Sequence, residues 1–476
     1  MDDATVTPVR WTGMTALRWG WHFVRDPLVT TRRIFEAAGP FVILAEGLPV
    51  IRPGRAVTLG VPLVLTAGAA FHRELLSNPA LWRGASLLPG GPRGSAARRM
   101  SAGLTRLTGA RHGHYRKLLL HPLHKTSVNA LAEKMARRAA TEAATWPVDE
   151  VIDLSEHARR MMRDIALELL FGGCNQQSCA IADRVSALMA RKWDSSVIAF
   201  PLNLSVTPYG RVVRDAEILE QLMLEWVAAK RGHIDESDLA SIIVNNDDED
   251  GDQPDDAVIV GQLCSLIAAA SEASHSVLLW TLLLLQQHPR VAAVLLDELR
   301  GNLGGLSPSL DRAGELPYLD AVVKESMRIL PPVPLQIRVA QSDATIAGHE
   351  VPNGTRVMLN TFLTNRMPDL YPNADSFQPE RWFTIAPTVF QFPVFSGGPY
   401  SCPGYLFGST AIKIALTAIL TRCAIDVSPS ARIDYRVQPT LRPRNAIRVR
   451  LSIRNSGASK ATPIAGTIKD LVNLPH

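Results

Sequence analysis

Apolar side chains crowd every side of the chain over residues 258–270 and again over 277–285, with a short polar interruption at Ser271, Glu272, Ser274 and His275 between them. A run of that length with no polar stripe predicts one helix over 256–287, buried in the middle of the protein. Asp255 and Asp256 at its start suit the positive end of a helix. Helical spacing also dominates 130–226, including 151–171, with breaks around Phe200, Pro201, Pro208 and Gly210. Shorter helices are predicted over 70–77 and 319–330, the second ended by Pro331, Pro332 and Pro334. The mixed segment 11–35 reads as an entry helix packed on the body. Residues 41–65 are rich in β-branched side chains punctuated by Pro49, Pro53, Gly54 and Gly60, and predict two or three strands; 338–341, 344–347 and 355–359 alternate as strands as well. A long Gly, Pro, Ser and Arg loop is expected over 83–109 and a solvated acidic loop over 246–256. A Gly/Pro-rich turn at 395–404 runs into a helix to about 421, followed by strand-like segments. The elements are mainly α with small β-sheets, an α+β fold, with 1–455 as one catalytic domain and 456–476 as a loosely held C-terminal tail. There is no internal repeat and no dividing linker.

Composition narrows the classes. Hydrophobic residues are 46% of the 476 and mean hydropathy is +0.06, ample for a large core. Aromatic residues at 6% offer no stacking surface, so no nucleic-acid partner is expected. The 50 basic against 45 acidic residues leave a net charge of +5, a surplus that suits one basic face docking an acidic partner. Five cysteines, Cys174, Cys179, Cys264, Cys402 and Cys423, are an odd number without metal-like clustering, which indicates neither a disulfide framework nor a zinc site and fits a reducing cytoplasm. The first 29 residues carry Asp, Arg, Trp and His throughout, so neither a signal peptide nor a transmembrane anchor is expected.

Candidate chemistry lies in four places. In Phe395-Ser-Gly-Gly-Pro-Tyr-Ser-Cys402-Pro-Gly404 the cysteine sits in a constrained turn just before a helix, where backbone N–H groups and the helix end favour a thiolate able to ligate a metal. A lone cysteine in a tight loop is more often inert. His112 and Arg116, one turn apart in a cluster of donors, suit an anionic group, the plainer reading being a solvated basic helix start. Glu272 among small residues at mid-helix points to a site with room for a flat ligand, or to one satisfied polar layer in a packed helix. Glu325 and Arg328, three apart, share a helix face, and Arg381 lies in a Pro-Glu-Arg loop before the cysteine turn.

Together the cysteine loop, the Glu-x-x-Arg at Glu325 and Arg328, and the Pro-Glu-Arg at Arg381 resemble the cytochrome P450 family of haem-thiolate monooxygenases, soluble bacterial type, over nearly the whole chain. The resemblance implies a long central helix over a haem b, with the cysteine loop beneath it. It implies that Cys402 is the axial iron ligand, that Phe395 covers the sulfur, and that Gly398 and Gly404 let the loop pass under the porphyrin. Glu325, Arg328 and Arg381 would form a buried structural triad. His112, Arg116, Arg338 and Tyr400 would meet the haem propionates, with Ala269 and Ala270 against the ring. Leu330, Val333, Leu335 and Ile337 are pocket candidates for an apolar small-molecule substrate, in a specialised-metabolite step. Electrons would come from a separate ferredoxin or flavodoxin, since the chain carries no nucleotide-binding glycine fingerprint or cluster-binding cysteine array; a cytoplasmic monomer is expected.

Two positions depart from the family pattern. Tyr400 stands where His or Arg is usual, with one hydrogen bond to give and no charge. More consequentially, the central helix reads Ala269-Ala270-Ser271-Glu272-Ala273, keeping the acid but placing Ala273 where a threonine hydroxyl delivers protons. Ser274 is rotated about 100° further around the helix, and replaces that hydroxyl only if the helix bulges locally. Three readings stay open: a hydroxylase whose relay is completed by substrate or water, a less proton-demanding oxidation such as radical coupling or ring closure, and direct use of peroxide. A haem-thiolate isomerase, dehydratase or binding protein needing no external electrons is the alternative of a different class.

Overall fold

The computed structural model describes residues 9–11, 18–19, 21–23, 25–44, 49–52, 55–58, 63–85, 90–101, 103–104, 107–233, 238–248, 250–303, 316–428, 431–453 and 461–475. Pro53, Gly54 and Gly60, residues 12–17, 20 and 24 of the 11–35 segment, and residues 456–460 and 476 of the expected tail lie outside them.

One helix organises the interior. Asp256–Gln287 begins where the Asp255 side chain accepts from the Ala257 N–H at 2.9 Å, and it ends at His288, just before Pro289. Its 32 residues span about 48 Å. From Ser274 onward it is buried on all sides, flanked by the helices Leu154–Phe171, Tyr405–Arg422 and Pro317–Ile329. It is the one helix among the described residues long and apolar enough to cross a membrane, and its C-terminal half is buried among these neighbours. The main apolar core draws on residues from Leu28 to Val472, with two smaller clusters at the sheet beside it.

The sheets are small, and the largest has six strands. Its order is Val9–Trp11, Phe41–Leu44, Leu63–Thr66, Arg356–Asn360, Leu335–Ala340 and Trp82–Gly84. The antiparallel register of Arg356–Asn360 on Leu335–Ala340, with Val357 opposite Arg338, fixes the direction in which Arg338 points. A two-stranded hairpin, Tyr435–Gln438 with Thr440–Pro443, is fastened to the central helix: the Ser276 hydroxyl and the Trp280 indole N–H, the latter at 2.8 Å, both donate to the Leu441 carbonyl. The Leu441 N–H in turn donates to the Pro332 carbonyl at 2.9 Å.

Several expectations are corrected. The tail is not loosely held over its described part: Ile464, Ile468, Leu471 and Val472 are buried, Ala465 exchanges backbone bonds with Ala431 and Ile433 at 2.8 Å, and Arg366 donates to the Leu471 carbonyl at 2.6 Å. Polar flanks had masked this apolar set. Val151–Asp153 is a strand paired with Arg448–Ile453, and the helix begins only at Leu154, capped by Asp153. The 83–109 segment holds the short helix Ala96–Arg99, with Ala96, Ala97 and Met100 buried. Cys174 and Cys179 form a disulfide across the turn between two helices; an odd cysteine count argues against a framework but is blind to one local pair.

Candidate active site

The cysteine turn is closed by its own backbone. The Cys402 N–H donates to the Phe395 carbonyl at 2.8 Å, and the Ser401 N–H to that of Gly398 at 3.0 Å. Gly398 has φ +57°, and a Cβ there would stand 2.7 Å from the Leu76 carbonyl oxygen, so only glycine fits. At Gly404 a Cβ would meet Cys402 Sγ at 3.9 Å, an ordinary contact, so the protein alone imposes no such demand there. Phe395 is half-buried, its ring edge-on to Tyr405 at 6.2 Å. Cys402 is closely surrounded yet exposes its side chain. Contrary to the thiolate expected from the turn alone, burial pushes the Cys402 thiol up, against the opposing pull of the Gly404 N–H and the Arg116 charge. Without a metal the sulfur keeps its proton at neutral pH.

Cations converge on this turn. Arg116 donates to the Ser401 hydroxyl at 3.1 Å, and His112 lies with its ring 6.4 Å from that of Tyr400. Burial, then the Arg116 charge, pushes His112 below its ordinary pKa, so near pH 7 it is a neutral donor. Arg338 is buried, with its guanidinium 4.6 Å over the Tyr400 ring. Among the described residues its donors reach only the Ile337 carbonyl at 3.0 Å and, at 3.5 Å, Gln336 and the Ser396 hydroxyl, leaving Nε without a partner there. Burial pushes this arginine down to about 10, the mark of a cation short of counter-charge. Tyr400 does not offer the expected propionate bond: its hydroxyl donates to the carbonyls of Trp82 and Pro79, because the turn packs against that loop.

The central helix contributes its one open face. Ala269 is exposed and Leu266, Ala270 and Ala273 are partly so, although the helix is otherwise interior. These four recur at helical spacing and share one side, a strip of one leucine and three alanines left partly open to solvent. The helix runs unbroken through this stretch. Ser274 therefore does not swing into the Ala273 position: it is buried, donates to the Ala270 carbonyl at 3.0 Å, and faces Gly408 of the helix after the cysteine. Glu272 pairs with Arg442 of the hairpin at 3.6 Å, a partner 170 positions away that spacing could not disclose. Of the pocket candidates, Val333 and Leu335 are partly exposed and Ile337 nearly buried, whereas Leu330, 1% exposed, belongs to the main core behind them.

Beneath lies the buried charge cluster. Arg328 holds Glu325 with two bonds of 2.8 Å, and Arg381 Nε reaches the same carboxylate at 3.0 Å. The Trp382 indole N–H and the Gln378 N–H, both at 3.0 Å, complete the shell. Trp382 has no role in the sequence reading although it follows Arg381 directly; an indole N–H that needs an acceptor was the available signal. Arg328 also donates to the carbonyls of Asn365 and Ala374, tying its helix to the segment that leads to the cysteine turn.

The cytochrome P450 family matches this sequence over residues 91–448, a span that includes the central helix, the charge cluster and the cysteine turn. The chain belongs to the cytochrome P450 family. A cytochrome P450 monooxygenase of Aspergillus fumigatus, sphH, is 33% identical over 223 residues, 44% of this chain and 39% of its own length. Pentalenene oxygenase of Streptomyces avermitilis is 26% identical over 358 residues, 73% of this chain and 79% of its own. The retinoic acid-bound cyanobacterial CYP120A1 superposes with a TM-score of 0.75 at 22% identity, across 89% of this chain and 93% of that one, a likeness of fold. As a P450 the protein is an oxidoreductase of the monooxygenase class, its cofactor a haem whose iron is bound by a cysteine. The residues present fit that group. An open sulfur, an under-bonded buried arginine and an uncovered strip of alanines match the iron, the carboxylates and the flat face of a haem.

Proposed function

We propose that Cys402 is the iron ligand of a haem b, that Arg338, Arg116 and His112 receive its propionates, and that Ala269 and Ala270 lie against the ring. The observation that carries this reading is the under-bonded Arg338, a buried cation beside the one exposed cysteine turn. Tyr400 serves by holding the Arg338 guanidinium on its ring face. The haem, once bound, supplies the activation of dioxygen and insertion of one oxygen atom into the substrate. The chain, with its packed 461–475 segment, acts as one catalytic domain, a cytoplasmic monomer fed by a separate ferredoxin- or flavodoxin-type donor; the cations of 109–125 near Cys402 form a docking face suited to an acidic protein. The substrate is largely apolar, in keeping with Val333, Leu335 and Ile337, and a step in secondary metabolism accords with relatives such as pentalenene oxygenase.

Proton handling sets this protein apart. Ala273 has no hydroxyl, the Ser274 proton is committed to the Ala270 carbonyl, and Glu272 is held by Arg442. Proton delivery then falls to water or to a polar group of the substrate. The same vacancy of hydroxyls favours a second reading, in which radical coupling, ring closure or peroxide use needs less proton delivery. Turnover assays with and without reductant, dioxygen and peroxide separate the two. The monooxygenase reading expects product only with reductant and dioxygen; product with peroxide alone favours the second, and product with none of the three overturns both. Ala273→Thr is expected to raise the ratio of product formed to electrons consumed by about 2-fold or more, while Ser274→Ala leaves it unchanged. Loss of coupling in Ser274→Ala would return the relay to that serine.

A further inference from the structure

The hairpin Tyr435–Gln438 with Thr440–Pro443 places two arginines where a polar chain would ordinarily avoid them. Arg436 and Arg442 are register partners across its two strands, so their side chains leave the same face, like charges directly opposite. Neither is a freely solvated surface residue: the Arg442 side chain is 15% exposed and Arg436 is half-buried. Among the described residues one carboxylate, Glu272, lies within ion-pair reach of Arg442, at 3.6 Å; Asp194 stands near Arg436 without pairing with it, its Oδ1 held by the Ser196 N–H and hydroxyl. Arg442 also donates to the Gln438 carbonyl, yet Nε of Arg442 and Nε of Arg436 are both buried without a partner among the described residues. Burial followed by mutual repulsion, with Arg444 adding to it, pushes Arg436 down; burial does the same to Arg442 against the pull of Glu272.

The position of this pair gives it meaning. Leu441 is bonded to Pro332, one residue before the partly exposed Val333, and Gln438 donates to the Trp193 carbonyl at 3.0 Å, at the end of the helix Gln176–Lys192. Arg442 reaches the central helix at Glu272, next to Ala273 and three residues from the exposed Ala269. The hairpin that carries the arginines thus touches the segment before Val333, the end of the helix Gln176–Lys192 and the central helix beside its open face. Buried N–H groups left unbonded are costly, and a structural ion pair would have been balanced.

We infer that Arg436 and Arg442 form a subsite for a carboxylate on the otherwise apolar substrate, anchoring one end while the rest lies along Val333 and the alanine face of the central helix. This rests on the haem-thiolate reading for the location of the reaction. The guanidinium fork matches the two oxygens of a carboxylate, and Arg436, Arg442 and the nearby Arg444 against Glu272 and Asp194 leave one positive charge in surplus, which suits a monoanion better than a phosphate dianion. A carboxylate held there also leaves Glu272 in competition for Arg442, so substrate binding would loosen that pair.

The test uses the holoenzyme and a panel of saturated fatty acids from octanoate to octadecanoate together with abietate, each beside its methyl ester. Binding is read both by the spin-state shift of the Soret band and by calorimetry. At least one acid is expected to bind about 10-fold or more tightly than its ester, and that preference is expected to fall within about 2-fold in both Arg442→Gln and Arg436→Gln. Arg436 carries no ion pair to the central helix, so its variant keeps the test open if the Arg442 variant misfolds. The subsite is overturned if no acid in the panel outbinds its ester by that margin, or if the preference survives in the Arg436 variant. Failure of the haem-thiolate reading shows separately, as loss of the thiolate signature in the carbon monoxide spectrum of the wild type, while calorimetry still reports the acid preference.

Discussion

Glu325→Gln is expected to destabilise the protein by about 3–5 kcal/mol, because it leaves Arg328 and Arg381 buried without the carboxylate that both of them share. Glutamine keeps the shape but offers one acceptor oxygen in place of two charged ones, while five donors point at the site from Arg328, Arg381, Trp382 and Gln378. Against a total of about 5–15 kcal/mol for a folded domain, that loss is a large fraction. It should be visible as a lower urea midpoint and, since Arg328 and Arg381 also bind the carbonyls of residues 365–376, as poor haem incorporation. A variant with wild-type midpoint and haem content would show that the cluster is not what supports the cysteine turn.

Cys402→Ser is expected to abolish turnover, to at least about 10³-fold below wild type, and to leave a folded protein. The turn is closed by backbone bonds from Cys402 to Phe395 and from Ser401 to Gly398, which serine preserves. What it removes is the sulfur, a far better donor to iron than an alcohol. Circular dichroism should remain that of the wild type while activity disappears. Retained activity would mean that the sulfur is not the ligand.

Much of this was legible along the chain because the signals are local. The bounds of Asp256–Gln287 coincide with the apolar run and its acidic start, and Glu325, Arg328 and Arg381 meet as their motifs imply. Directions of side chains were less accessible. Tyr400 was expected to face a propionate, but a loop 318 positions away claims its hydroxyl. Ser274 could substitute for a missing hydroxyl only in a bulged helix, and the buried flanks of this helix keep it regular. Glu272 was expected to be a functional acid, and its partner Arg442, in a strand of the last hairpin, was not foreseen, because nothing in sequence spacing links a helix centre to a distant strand. The packed tail and the Leu330 position share a cause: both depend on which core surface a short apolar group meets, and periodicity does not specify that.

The haem-thiolate assignment to Cys402 is tested most directly by the carbon monoxide difference spectrum of the reduced holoprotein. The arrangement of the turn predicts a Soret band at the long-wavelength position of thiolate ligation in the wild type, absent in Cys402→Ser. A wild-type band at the short-wavelength position of nitrogen-ligated haem, or a long-wavelength band that persists without the Cys402 sulfur, would contradict it.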